Sequence, residues 1–171
     1  MNYYFNSKTS IEKFNSIKEW LKDEYLKSKE GFYCNIDTIE KAFYNKEFLS
    51  FEINNESIGF VVYSNFENFC IQIDIVEIHP QYRNKGIGNI FYNEIENYFK
   101  KKKFKVIELY CSPKESEIFW LKMNFIKYPK SKYKHELTYY KPIIKTQNQF
   151  INNPLCILYW RNKVVHLIEN Q

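Results

Sequence analysis

Residues 83–88 read Arg-Asn-Lys-Gly-Ile-Gly and hold two of the chain's four glycines. Before them lies a run with strand-like alternation at 70–78, and after them a run with helical spacing at 89–103. The chain must therefore leave a strand, turn through a glycine loop and enter a helix. The next strand, predicted at 104–111, then runs parallel to the first because a helix separates them. A glycine has no Cβ, so its backbone N–H can touch a ligand oxygen directly. Where such a loop opens a helix, the unpaired N–H groups and the positive end of the helix dipole converge on one spot. That spot suits a phosphate or pyrophosphate, and Arg83 and Lys85 add positive charge around it.

The preceding strand has its own peculiarity. Ile71, Ile73 and Ile75 alternate with Gln72 and Asp74, but the next apolar residues are Val76 and Ile78, with Glu77 between them. The phase slips by one residue, which is what a β-bulge does, leaving strand N–H and C=O groups for a long amide-bearing ligand arm. A strand buried on both faces carries the same pattern.

The remaining elements follow from spacing and punctuation. A first strand is predicted at 3–5. Ser10 or Thr9 caps a helix with the apolar stripe Ile11, Phe14, Ile17, Trp20-Leu21 and Tyr25, and Gly31 ends or follows it. A shorter helix runs from Asp37 or Thr38 to about Tyr44. Strands at 48–53 and 58–63 are joined by Asn54-Asn55-Glu56-Ser57, an asparagine-rich hairpin turn. The helix after Gly88 buries Ile87, Phe91, Ile95, Tyr98 and Phe99 and ends in four lysines, which suit a helix C-terminus. Ser112, Pro113 and Glu115 have the spacing of a capped helix start. A last core strand is predicted at 136–144.

Four cysteines (34, 70, 111 and 156) are scattered without ligand spacing, so they read as reduced core residues, and no metal is expected. No run of 18 apolar residues indicates a membrane span, and the polar N-terminus does not resemble a secretion signal. The location expected is the cytoplasm. A net charge of +5 is a mild excess. Lysines 127, 130, 132, 134, 141 and 145 interleave with tyrosines 128, 133, 139 and 140, and they read as a solvated hairpin rather than a nucleic-acid surface.

The stretch Val76-Glu77-Ile78-His79-Pro80-Gln81-Tyr82-Arg83-Asn84-Lys85-Gly86-Ile87-Gly88 resembles the fourth strand and acetyl-CoA pyrophosphate loop of the GNAT superfamily of N-acetyltransferases. Ser116-Glu117-Ile118-Phe119-Trp120-Leu121-Lys122-Met123-Asn124-Phe125 resembles that family's A-x-x-F-Y-x-K-x-G-F segment, and the likeness spans residues 48–141. It implies an α/β (α+β) fold: a mixed, mostly antiparallel central sheet with flanking helices and a bulged, splayed central parallel strand pair. It also implies acetyl-CoA as cosubstrate and a small-molecule or peptide amine as acceptor, with no membrane or nucleic-acid partner. Val76, Ile78, Arg83, Asn84, Lys85, Gly86, Ile87, Gly88, Asn89, Ser116 and Trp120 would hold the cofactor, and Glu77 and Asp74 are the candidate bases. Two positions depart from the family pattern. Trp120 stands where a tyrosine commonly protonates the departing thiolate, and an indole N–H is not a usable acid. Asn124 stands where the family has glycine. Ser112, Ser116 and Tyr110 are the candidates to replace the missing acid. A CoA-binding module without turnover and a tRNA-directed acetyltransferase are the rival readings. The domain is expected at 1–145. At 146–171 an appended β-hairpin, built on 155–160 and 164–168, would pack on the domain or on a partner subunit as a homodimer.

Overall fold

Helix ends account for much of how this chain is laid out. Ser10 accepts the amide of Lys13 through its hydroxyl (3.4 Å) and starts α1, Ile11–Ser28. This helix closes at Lys29, whose φ of 62° lets its N–H reach Tyr25 O at 2.9 Å. The later helices are α2 (Ile36–Tyr44), α3 (Ile87–Lys101) and α4 (Glu117–Lys122). They close with a paired-bond motif: the amides of Glu47, Phe104 and Phe125 reach back to Ala42 O, Phe99 O and Trp120 O at 2.9, 3.1 and 3.0 Å. At the left-handed position sit Lys46 (φ 63°), Lys103 (φ 68°) and Asn124 (φ 62°), none of them glycine. Phe104 packs on Phe99 and Phe125 on Trp120, the apolar contact that accompanies such closures.

The computed structural model describes residues 3–66, 69–128, 139–144 and 157. The strands are β1 (Tyr3–Asn6), β2 (Phe48–Ile53), β3 (Glu56–Phe66), β4 (Cys70–Ile78), β5 (Val106–Leu109), β6 (Ile126–Lys127) and β7 (Tyr139–Pro142). They hydrogen-bond in the order β1-β2-β3-β4-β5-β7-β6, mostly antiparallel. Among the described residues the one parallel pair is β4 and β5, with α3 in the connection between them, as the sequence pattern predicts. Asn54 and Asn55, with φ of 49° and 71°, form a two-residue turn that brings Ile53 opposite Glu56. Two left-handed residues in succession give this turn the twist a hairpin needs, and asparagine is the usual non-glycine residue there.

Two compact units divide the chain. Residues 1–64 and 73–98 form the first, whose core packs Phe14, Ile17 and Leu21 of α1 and Ile39 of α2 against Phe48, Phe60 and Ile75 of the sheet. Ring stacking is dense there, with Phe14–Phe43 at 4.0 Å and Phe48–Phe60 at 5.4 Å between centroids. Residues 65–72 and 99–171 form the second, where Cys70, Val106, Tyr128, Tyr140 and Ile157 are buried together. Within it the Cys70 thiol donates to the buried carboxylate of Glu108 at 2.6 Å.

Several expectations need correction. From Ile71 onward burial alternates along β4: Ile71, Ile73, Ile75 and Glu77 are buried, while Gln72, Val76 and Ile78 are half-buried and Asp74 is exposed. A charged residue occupies the core-facing position at Glu77 because it has buried partners there. A register shift falls between Phe51 and Glu52, opposite β3. Ser112 caps no helix. A 3-10 turn at Lys114–Ser116 precedes α4, and the Ser116 hydroxyl donates to Pro113 O at 2.7 Å. Cys34 is exposed and Cys111 half-buried, so of the three described cysteines only Cys70 is a core residue. Lysines 130, 132, 134 and 145 lie outside the described residues. So does the tail hairpin apart from Ile157, which is helical where a strand was predicted.

Candidate active site

The stripe of α1 that faces the core runs Phe14, Ile17, Leu21 and then Glu24, three residues on from Leu21. Helical spacing thus carries a carboxylate onto an apolar face, where it is 7% exposed. Tyr25, the predicted end of the stripe, is only half-buried. Period-2 spacing does the same on β4, where Glu77 follows Ile73 and Ile75 inward and is also 7% exposed.

Arg83 joins the two. Its Nη1 and Nη2 donate to the two oxygens of Glu24 at 2.7 and 2.9 Å, a two-pronged fork, and Nη2 also donates to Glu77 Oε1 at 2.8 Å. Nε donates to Ile78 O at 2.7 Å. The other Glu77 oxygen accepts the Phe32 amide at 3.3 Å. Gly31 sits directly over the pair at φ 80°, and a Cβ there would lie 3.0 Å from Glu24 Oε2 and 3.1 Å from Glu77 Oε1. Two carboxylates share one guanidinium charge. Burial first, and then the charge of Glu24, raise the proton affinity of Glu77 well above the usual carboxylate range, while Arg83 and the Phe32 amide pull the other way. His79, between Trp20 and Tyr82, has its pKa lowered by burial, and its Nδ1 accepts the Gln81 amide at 3.2 Å.

The loop itself is open. Asn84, Lys85, Gly86 and Asn89 are exposed, and Ile87 is buried and anchors the start of α3. Asn84 turns the backbone at φ 59° and Gly86 at φ 77°. The amides of Asn89 and Ile90 both reach Gly86 O, at 3.1 and 3.4 Å. Among the described residues no acceptor takes the amides of Lys85, Gly86, Ile87 or Gly88. A Cβ built on Gly86 meets no atom within 4 Å. Four unengaged amides beside open space at the start of a 15-residue helix fit an anionic group such as a pyrophosphate.

The guanidinium of Arg83 is held by Glu24 and Glu77. Lys85 remains exposed, with its ammonium 6.0 Å from the Tyr82 ring centroid. Asp74 lies on the opposite face of β4 from Glu77, exposed, where it accepts from Ser64 at 2.6 Å. Ser116 and Trp120 belong to the second unit. Trp120 is buried edge-on between Phe119 and Phe125, so its indole is part of a core. The Ser116 hydroxyl lies 3.3 Å from the Cys111 thiol, and Tyr110 is exposed. Glu24 is the site residue that sequence reading missed. Its signal was the i+3 step from Leu21, which continues the buried stripe.

Among the described residues no group of three His, Cys, Asp or Glu side chains is arranged to hold a metal ion, and no helix is long and apolar enough to cross a membrane.

Residues 14–125 match the model of the acetyltransferase (GNAT) family. Similar folds occur among solved structures. The PaiA N-acetyltransferase from Thermoplasma acidophilum, solved in complex with coenzyme A, aligns at TM-score 0.64 and 20% identity over 83% of this chain and 99% of that one. An aminoglycoside 6'-acetyltransferase type Ii aligns at TM-score 0.62 and 14% identity, over 85% and 99%. N-acetylglutamate synthase from Neisseria gonorrhoeae, complexed with coenzyme A and N-acetyl-glutamate, aligns at 0.63 and 11%, over 85% of this chain and 36% of that one. No curated protein matches the chain.

Proposed function

The chain belongs to the acetyltransferase (GNAT) family, and we propose that it transfers an acetyl group from acetyl-CoA to a primary amine by direct attack. The observation that carries this reading is the loop at residues 85–88, where four amides lie without acceptors beside open space at Gly86. These amides bind the pyrophosphate, helped by the dipole of α3 and by Lys85. When bound, acetyl-CoA supplies the thioester carbonyl on which the new C–N bond forms as the C–S bond breaks.

Glu77 takes the proton of the incoming ammonium, directly or through one water. A base works best when its proton affinity is matched to the working pH, and burial has moved Glu77 in that direction. Asp74 is exposed on β4. In the second unit the Ser116 hydroxyl, 3.3 Å from the Cys111 thiol, is the candidate to assist the thiolate in place of a tyrosine. The solved relatives named above include an aminoglycoside acetyltransferase and a glutamate acetylating enzyme, so the acceptor panel spans aminoglycosides, amino acids, polyamines and peptide N-termini. Release of CoA thiol with one of these amines, and a larger fall in kcat than in KM for Glu77→Gln, is the expected result. A second reading, a CoA-binding module without turnover, is favoured by the burial of Trp120 at the family's tyrosine position. Acetyl-CoA binding without thiol release for any amine would establish it instead.

A further inference from the structure

The guanidinium of Arg83 serves its two carboxylates unequally. Glu24 receives the fork, with both Nη1 and Nη2 within 2.9 Å, whereas Glu77 receives one prong. A carboxylate alone in a guanidinium fork is held firmly in its ionised form and makes a poor proton acceptor. We propose that Glu24 is a positioning residue for the deprotonation of the acceptor amine: by occupying the fork of Arg83 it leaves Glu77 with a single prong and free to take up a proton. The inference rests on Glu77 being the base.

The surroundings support it. From α1 come Glu24 and, one turn on, Lys27; from the segment after α1 comes the Phe32 amide; from the end of β4 come His79 and Arg83; from β3 comes Glu56. Of these, Arg83 is the cation paired with Glu77, while Lys27 and Glu56 act on His79. Removing the charge of Glu24 therefore leaves Arg83 wholly to Glu77.

The test is a carbon-13 titration of the Glu77 carboxyl in the full chain, assigned with Glu77→Gln. It runs beside the pH profile of kcat/KM for acetyl-CoA and an amine that is turned over. Glu24→Gln should move both the Glu77 titration and the ascending limb of the rate down by about one pH unit or more, the effect of leaving a carboxylate with an unshared cation. Glu24→Asp keeps the charge and should leave both in place. Glu24→Met removes the charge while filling the same stripe, and gives the same reading should the glutamine variant fail to fold. A uniform fall in rate with the titration unmoved overturns the proposal, since that is what a structural role alone would produce. If the titration moves and the rate limb does not, Glu77 is not the base, and the positioning role falls with it.

Discussion

Gly86→Ala separates the needs of the fold from those of the site, because the structure gives the two costs independently. The backbone at Gly86 has φ 77°, a conformation that costs a residue with a Cβ roughly 1–2 kcal/mol. The added methyl meets no atom within 4 Å, so no packing penalty joins that cost. For a chain of this size the melting temperature should fall by about 2–8 °C, at roughly 2–4 °C per kcal/mol. Acetyl-CoA should suffer more. The methyl stands where the pyrophosphate would accept the amides of residues 85–88, and the loss of one charge-assisted hydrogen bond removes about 1.5–3 kcal/mol. That is a tenfold to hundredfold rise in Kd. Calorimetric titration with acetyl-CoA measures the second quantity and scanning calorimetry the first, with Lys46→Gly, outside the loop, as a control that relaxes a left-handed residue and leaves affinity alone. An unchanged Kd in a folded Gly86→Ala protein would refute the assignment of this loop as the anion site. A loss of 15 °C would refute the claim that the space above it is open.

Gly59→Ala should be more disruptive to folding than Gly86→Ala, by about 1–3 kcal/mol in urea titration, because its Cβ would lie 2.8 Å from Ile78 Cδ1 and 3.0 Å from the Glu77 carbonyl oxygen. Glu77 has a folded-state pKa pushed up to about 8, above its ordinary value near 4.5, so its favourable contribution is complete below the ordinary value and is lost as pH rises through the folded one. Wild-type stability should therefore decline between about pH 4.5 and 8 by an amount on the order of a few kcal/mol, and Glu77→Gln should flatten that slope in urea melts across the same range. Trp120→Tyr places a hydroxyl among Phe119 and Phe125 and should lower stability by about 1–3 kcal/mol without raising thiol release above wild type; a faster variant would mean the side chain at this position reaches the reacting centre.

What sequence could and could not reveal here divides along physical lines. The glycine loop, the Ser10 cap, the Asn54-Asn55 turn and the parallel return through α3 are local or periodic, so spacing and backbone chemistry disclose them. The pairing of Arg83 with Glu24 spans 59 residues and depends on how α1 lies on the sheet, which no window of sequence contains. The charge of Arg83 was legible, its carboxylate partners were not. At Glu77 the period-2 spacing from Ile73 and Ile75 carried the information that this side chain is buried. Residues 112–116 also fit a cap on spacing alone, whereas the Ser116 hydroxyl turns back to Pro113 instead.

Every one of the four described helices is followed by a left-handed residue that is lysine or asparagine, at positions 29, 46, 103 and 124. Glycine is the residue such positions favour, so at these four points a Cβ is held in a conformation that costs it free energy, and the rest of the fold carries the load. The same positions mark where the protein can be made more robust. Replacing Lys29, Lys46 and Lys103 by glycine should each relieve up to about 1 kcal/mol of backbone strain. All three lie outside the loop and the carboxylate cluster, so the gain would come without touching either, and would let the enzyme tolerate substitutions that now unfold it.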